Sequence, residues 1–192
     1  MRGRVSTEEL KRLVYNSRIY GVKSSSVLGC TLWIGGAGTV RVVSTDDYIS
    51  LVDYISCDSL GNPEYRLMDH DFLEALGKSL ESNTDEWFDL ASLEWVVQGE
   101  IQEVLDSMDA TIFEVDRYDT TPLAGFAISP QRLTKLRLVK PTGQPIDIKA
   151  FRSPQGPVEE VIGFRIGTVQ GVIAPLDRDH LRAIGKGEGL WD

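Results

Sequence analysis

Hydrophobic residues recur at helical spacing in three stretches of the chain, and each stretch has residues typical of a helix start. The first helix is predicted to begin at Ser6 or Thr7 and to end near Gly21, with an apolar face formed by Leu10, Leu13, Val14 and Ser17. Asp69 can cap the second helix, whose inward residues are Phe72, Leu73, Leu76 and Leu80. Ser129 and Pro130 begin the third, which Pro141 limits to about three turns.

Strand-like runs fill most of the remaining sequence, at residues 26–34, 39–43, 48–57, 64–68, 110–115, 146–151 and 161–175. The first two flank Gly35-Gly36-Ala37-Gly38, which can supply the positive-φ residues of a hairpin turn. Residues 85–108 are ambiguous, because the apolar spacing suits a helix while the tryptophan-containing runs suit strands. A helix is favoured for their second half. Many strands and few short helices predict an α+β fold.

Charge is distributed in bands along the 192-residue chain, whose formal net charge is −9. Positive charge is concentrated at residues 2–23, with six basic residues against two acidic ones, and at residues 131–152, with six against one. Between residues 58 and 109, fourteen acidic residues are offset only by Arg66 and Lys78. This middle segment is therefore expected to be solvated or to face a partner, and only the two basic segments are suited to meeting phosphates.

Cysteine content and hydropathy predict where the protein works. Cys30 and Cys57 lie in apolar runs without the spacing of a metal site, which favours reduced core residues over a disulfide or zinc centre. No run approaches the roughly 18 apolar residues needed to span a membrane. The N-terminus leads into a polar helix and not into a signal peptide. A cytoplasmic protein without a membrane partner is expected.

Few residues are suited to catalysis or metal binding. His70 and His180 each lie among carboxylates, but neighbours in sequence do not converge on one point, so either site would need distant partners. Asp46-Asp47 could hold a divalent ion, although such pairs more often form a turn after a strand. The glycine-rich turn lacks the Lys-Ser/Thr of a phosphate-binding loop. The sequence predicts a binding protein with no catalytic residue, cofactor or metal, and an enzyme is the alternative.

Basic residues are concentrated on two predicted helices of an otherwise acidic protein. The first helix carries Lys11, Arg12 and Arg18, and the third carries Arg132 and Lys135 with Arg137. They could be ordinary solvated faces. They could also form one surface that meets phosphates while the rest of the protein repels them.

The order of these features resembles that of the DNA sliding clamps, the ring-forming processivity factors of bacterial, viral and eukaryotic replication. Residues 27–34, the glycine-rich turn and residues 39–51 resemble the clamp pattern of a strand, a hairpin and a second strand ending in Thr-Asp. Residues 69–76 resemble the next clamp helix, and residues 125–136 the stretch where a helix follows a short strand. Residues 171–176 are similar to the final strand of bacterial clamps. The likeness covers most of the chain in order.

The resemblance implies two clamp-like domains, here residues 1–109 and 110–192, each of antiparallel sheet with short helices on one face. The helices of a clamp line a central hole, and the residues directed toward duplex DNA would be Lys11, Arg12, Arg18, Arg132, Lys135 and Arg137. A clamp ring has six domains, so two domains per chain imply a homotrimer. Double-stranded DNA, bound without sequence preference, is the implied partner.

A second partner is implied by the pocket that bacterial clamps form between two domains for a short peptide. Mapped onto this sequence, the pocket residues are Thr45, Asp47, Tyr48, Ile49, Val172, Ala174 and Pro175. The peptide would belong to a DNA polymerase or to another replication protein.

Some features depart from the clamp pattern. The chain is short for two full clamp domains, residues 85–108 do not fit the expected strands well, and Asp47 and Ser50 stand where bacterial clamps favour Gly and Arg. The sequence is also compatible with a degenerate clamp that no longer closes a ring, and with a compact viral version that acts in a host cytoplasm. The alternative function is a non-catalytic α+β interaction or structural module without DNA binding.

Overall fold

The computed structural model describes residues 1–20, 30–45, 49–58, 61–95, 120–121, 128–152 and 160–173. Short helices and antiparallel strands alternate along this part of the chain, which confirms the α+β prediction. In chain order the elements are β1 (Arg4–Ser6), α1 (Thr7–Tyr20), β2 (Cys30–Gly36), β3 (Thr39–Thr45), β4 (Ile49–Ser56), β5 (Glu64–Asp69), α2 (His70–Ser82), β6 (Trp87–Asp89), β7 (Thr120–Thr121), α3 (Pro130–Leu136), β8 (Asp147–Arg152), β9 (Glu160–Ile166) and β10 (Val169–Ile173).

The predicted helix starts are confirmed. Asp69 caps α2 by accepting a hydrogen bond from the Asp71 backbone N–H at 2.7 Å, which satisfies one of the unpaired donors of the first turn. Ser129 precedes Pro130 at the start of α3, but the serine side chain makes no capping bond. This helix is only 7 residues long.

The glycine-rich segment forms the predicted hairpin turn between β2 and β3. Ala37 and Gly38 hold the positive φ angles of the turn, at 51° and 75°. Alanine therefore occupies one left-handed position that a glycine would fill at lower cost. No phosphate-binding geometry arises here, because strand and not helix follows the turn.

Eight strands form one sheet in the order β5-β2-β3-β4-β10-β9-β8-β7. Its middle is the seam, defined here as the antiparallel pairing of β4 with β10, in which residues 49–52 face residues 170–173. On one side lies the unit of α1 followed by β2, β3 and β4, and on the other the unit of α3 followed by β8, β9 and β10. Each unit is a helix followed by a three-stranded meander, and the two meet through their last strands.

In the N-terminal part of the chain, the strands next to α1 pair with the strands next to α2. The strand before α1 pairs with the strand after α2, because β1 pairs with β6. In turn, β5, which precedes α2, pairs with β2, which follows α1. The α3 unit differs, since β7 pairs with β8 of the same unit. The N-terminal part therefore contains two interlocked helix-and-strand units among the described residues.

Alternate residues of β4 lie on the helix-bearing face of the sheet and contribute to two cores. Ile55 belongs to the first core, with Leu10 and Leu13 of α1 and Leu73 of α2. Ile49 and Leu51 belong to the second core, with Leu136 and Val139 from α3 and the following turn. Asp53 lies between these two groups on the same face and is fully buried. Both helical units thus cover one face of a single sheet.

The ambiguous stretch begins with strand and not with helix. Trp87–Asp89 is β6, and Leu90–Ser92 forms one 3₁₀ turn. The helix predicted for its second half and the strand at 110–115 lie outside the described residues. Cys57 is half-buried directly after β4. Within the described ranges, no helix is long and apolar enough to cross a membrane.

Candidate nucleic-acid and peptide interfaces

The apolar face of α1 is buried as predicted, but its basic residues are not a fully solvated face. Leu10 and Leu13 are 0% exposed, while Lys11, Arg12 and Arg18 are half-buried against neighbouring elements. Each of the three donates to a carboxylate or a carbonyl oxygen. Their charges are therefore partly used inside the molecule.

Arg12 forms an ion pair with the buried carboxylate of Asp53. Its Nη1 donates to both carboxylate oxygens, at 2.6 and 2.8 Å, and its Nη2 donates to the Tyr54 carbonyl at 3.0 Å. Nη1 also reaches Thr168 Oγ1, at 3.2 Å, in the turn between β9 and β10. A buried carboxylate needs such a charged partner because its desolvation is costly.

Asn16 extends this network across the seam. Its Nδ2 donates to Asp53 Oδ2 at 2.9 Å and to the Lys140 carbonyl at 3.0 Å, and its Oδ1 accepts from the Lys140 backbone N–H at 2.8 Å. Asn16 is 0% exposed. The Asn16 side chain of α1 therefore bonds both the backbone N–H and the backbone C=O of Lys140, in the turn after α3.

Arg18 pairs with Glu74 of α2. Its Nε and Nη2 donate to the two carboxylate oxygens at 2.8 and 2.5 Å, the bidentate geometry that favours this pairing. These hydrogen bonds lower the pKa of Glu74 below its ordinary value, and the same bond from Glu74 raises the pKa of Arg18. Gly77 lies under the guanidinium, where a Cβ would come within 2.6 Å of Nη1.

A groove of about 260 Å³ runs between α1 and α2, and it is called here the α1–α2 groove. The groove is lined by four basic side chains, those of Lys11, Arg12, Arg18 and Lys140. Two carboxylates, those of Glu8 and Glu81, also line it. Lys11 Nζ donates to the Asn83 carbonyl at 3.0 Å. The Lys140 amino group lies 4.1 Å from the centre of the Tyr15 ring, a cation–π contact.

The basic residues of the α3 unit occupy a different position from those of α1. Arg132 and Lys135 are half-buried on α3, and Arg137 is exposed immediately after it. Leu136 and Val139 anchor this segment in the second core. Lys140 connects the two sets, because it follows α3 in sequence and lines the α1–α2 groove in space.

The residues predicted for a peptide pocket meet at the seam only in part. Thr45 lies opposite Ser50, and Ser50 lies opposite Val172, so these three form a row across β3, β4 and β10. Ser50 Oγ donates to Thr45 Oγ1 at 2.9 Å. The row is on the sheet face away from the helices, whereas Ile49 points into the second core. Asp47, Tyr48, Ala174 and Pro175 lie outside the described residues.

Comparison with solved structures gives a consistent result over nearly the whole chain. The beta subunit of DNA polymerase III from Thermotoga maritima matches with a TM-score of 0.58 and 14% identity, over 96% of this chain and 68% of that one. The sliding clamp of Bartonella birtlesii matches with a TM-score of 0.60 and 13% identity, over 98% and 69%. The clamp of Pseudomonas aeruginosa matches with a TM-score of 0.59 and 11% identity, over 97% and 69%.

The fold is that of a DNA sliding clamp. No protein-family model matches the sequence, and no curated protein matches it either. At such low identity the clamp likeness establishes the architecture alone. The clamp fold accounts for the antiparallel sheets with short helices on one face, which was the predicted arrangement. The division at residues 109 and 110 and the roles of the basic residues stay predictions.

The other candidate groups do not form a site within the described part of this clamp fold. His70 Nε2 lies 3.9 Å from Glu74 Oε1 of the same helix, and the His70 side chain is only 14% exposed. No group of three or more His, Cys, Asp or Glu side chains that could hold a metal occurs in the described ranges. His180 and Asp46-Asp47 lie outside them.

Sequence reasoning missed Asn16 and Asp53, although a signal was present. Both are polar residues at positions where the helix or strand pattern requires burial: Asn16 lies between the apolar residues of α1, and Asp53 within the apolar run of β4. Buried polar side chains must find hydrogen-bond partners, so such positions indicate a network. Their partners, Lys140 for Asn16 and Arg12 for Asp53, could not be identified this way, because they are far away in sequence.

Proposed function

We propose that this chain is a sliding clamp-like processivity factor, a non-catalytic protein that encircles duplex DNA and tethers a DNA polymerase or another replication protein. The observation that carries the proposal is the single sheet in which two helix-bearing units meet across the seam, matched in order to bacterial clamps over 96% of the chain. Such a factor acts on DNA in the cytoplasm, or in a host cytoplasm if the chain is viral.

The proposed ring is a homotrimer. The chain matches about two thirds of each bacterial clamp chain, 68% in the Thermotoga maritima structure. If the chain supplies two of the six domains of a clamp ring, three copies complete it. Repetition places three sets of basic helix residues around the hole, so an acidic chain can still present positive charge to DNA.

DNA binding in this proposal is independent of sequence, because it uses phosphates and not base edges. The candidate contacts are Lys11, Arg12, Arg18, Arg132, Lys135 and Arg137. Arg12 and Arg18 are already paired with Asp53 and Glu74, so a phosphate would have to compete with these carboxylates for the two guanidinium groups.

The proposed peptide site is the outer surface of the seam. Thr45 and Val172 flank Ser50 there, and the chain continues from β3 and β10 into Asp47, Tyr48, Ala174 and Pro175. Ile49 supports this surface from the opposite face of the sheet. An extended peptide with apolar side chains is the expected ligand, because the row combines hydroxyl groups with a branched apolar side chain.

Absolute mass in solution tests the ring first. Light scattering at two protein and two salt concentrations is expected to give three times the 21.3 kDa chain mass. The trimer should then be retained on circular duplex DNA and released when the circle is cut, because a ring can slide off a free end. A protein that stays monomeric under all four conditions, and that is not retained on the circle, would contradict the proposal.

The ion pairs of Arg12 and Arg18 favour a second candidate, an interaction module that does not bind DNA. This module would keep the clamp fold and bind a protein partner as a monomer. A monomer that binds no duplex at low salt but keeps its fold would support it.

A further inference from the structure

Lys140 differs from the other cations of the α1–α2 groove. Arg12 and Arg18 are paired with carboxylates, and Lys11 donates to a backbone carbonyl. Lys140 is exposed, and its amino group contacts the Tyr15 ring. A lysine ammonium has three donors, so contact with one aromatic face leaves it able to donate to an anion.

The backbone of Lys140 is held in place by a buried side chain. The carboxamide of Asn16 bonds both the N–H and the C=O of Lys140, at 2.8 and 3.0 Å. Asn16 is itself fixed by Asp53, which is fixed by Arg12. The backbone of Lys140 is therefore fixed against α1, although Lys140 belongs in sequence to the α3 unit.

Local charge favours Lys140 over the arginines as the group that meets an anion. Residues 129–146 contain four basic residues and no acidic one. Arg12 is held by bonds to Asp53, Thr168 and the Tyr54 carbonyl, and moving it toward an external anion would weaken its pair with a fully buried carboxylate, which is unfavourable. No comparable loss accompanies a contact made by Lys140.

We propose that Lys140 contacts a backbone phosphate of duplex DNA, and that Asn16 is the positioning residue that holds Lys140 at the α1–α2 groove. The proposal rests on the proposed DNA-binding function and deepens it. It also assigns Arg12 a structural role at the seam and removes it from the DNA-contacting set.

The test compares affinities for a short random-sequence linear duplex over a series of salt concentrations. Loss of one phosphate contact lowers the magnitude of the slope of log K against log salt by about 0.9. Lys140→Ala should weaken binding and show this smaller slope, while Lys140→Arg should keep the wild-type slope. Lys149→Ala is the matched control, because Lys149 is exposed on β8 on the sheet face away from the helices, and it should behave as wild type.

A double-mutant cycle tests Asn16. If Asn16 acts by placing Lys140, Asn16→Ala should weaken DNA binding, and adding Lys140→Ala to it should weaken binding no further. Additive losses would show that Asn16 supports the fold without positioning the lysine. Should Asn16→Ala fail to fold, Asn16→Ser in the same cycle gives the answer.

The outcomes separate this inference from the function on which it rests. Wild-type protein that shows no salt-dependent binding of the duplex would overturn the DNA-binding function itself. Wild-type protein that binds, with Lys140→Ala keeping the full slope, would overturn only the role of Lys140. A loss of slope in Lys149→Ala equal to that in Lys140→Ala would also overturn it, since the effect would then be one of general charge.

Discussion

Asp53 shows how one side chain can join two parts of a molecule. It lies on β4 between residues of the first core and residues of the second, and it bonds Arg12 and Asn16 on α1. Asn16 and Arg12 in turn bond Lys140 and Thr168 of the α3 unit. A polar residue inside an apolar strand can be recognised from the sequence. Its partners cannot, because only the folded sheet brings together residues 124 positions apart.

Gly171 is the residue at which the seam tolerates no side chain. A Cβ there would lie 2.1 Å from the Ser50 carbonyl oxygen and 2.7 Å from Phe164 Cζ. Gly171→Ala should therefore destabilise the fold by about 1–3 kcal/mol, because the backbone atom cannot move aside without opening the β4–β10 pairing. Urea denaturation measures the loss.

Gly35→Ala is the control for this substitution. Its Cβ would meet only the side chain of Met1, at 3.1 Å, and that side chain is flexible enough to shift. A loss of stability in Gly35→Ala as large as that in Gly171→Ala would contradict the explanation by close backbone approach.

The Arg18–Glu74 pair predicts a pH dependence. The folded state lowers the pKa of Glu74 below its ordinary value of 4.5, so the pair stabilises the fold above that pH and the contribution is lost as pH falls through the folded pKa. Glu74→Gln should cost up to about 1 kcal/mol at neutral pH, since the pair is only half-buried. The difference from wild type should shrink with acidification and vanish once Glu74 is protonated.

Urea midpoints measured from neutral pH to below pH 4.5 give this difference directly. Glu94→Gln, which removes a carboxylate at an exposed position with no ion pair to Arg18, is the matched control and should leave stability unchanged. A cost of Glu74→Gln that stays constant with pH would show that the ion pair contributes nothing.

At the scale of elements, helix ends provide a direct comparison between two capping residues. Asp69 makes a side-chain bond to the first turn of α2, and Ser129 makes none to α3. Asp69→Ala should cost about 1 kcal/mol, within the range for a lost N-cap. Ser129→Ala should change the free energy of unfolding by a few tenths of a kcal/mol at most. Thermal unfolding of both variants measures this, and equal costs would refute the capping difference.

Elements with strong local signals were predictable and the others were not. Caps and helical spacing located α1, α2 and α3, and the glycine-rich turn located the β2–β3 hairpin. Trp87–Asp89 could not be assigned, because a run of 3 residues has no usable period and its strand character depends on pairing with Arg4–Ser6. The basic residues of α1 were located correctly, but their ion pairs depend on tertiary contacts with Asp53 and Glu74.

For the molecule as a whole, the sequence order indicated the clamp fold, but not the connection between its units. The exchange of β1 and β5 and the pairing of β4 with β10 join residues far apart in the chain, and local patterns carry no information on such pairings. The predicted pocket shows the same limit: Thr45 and Val172 share a face, while Ile49 points to the other side because side chains alternate along a strand.

The late position of β10 in the chain affects how the protein can be made. During synthesis β4 is complete more than a hundred residues before Gln170 leaves the ribosome. Until then, the backbone groups of β4 that pair with β10 in the finished fold have no partner strand. Ile49 and Leu51, which are buried in the finished fold, lie on this unpaired strand. An uncovered apolar edge is a template for pairing with other chains. Nascent chains, and any fragments that stop short of β10, are therefore the forms of this protein most in need of a chaperone.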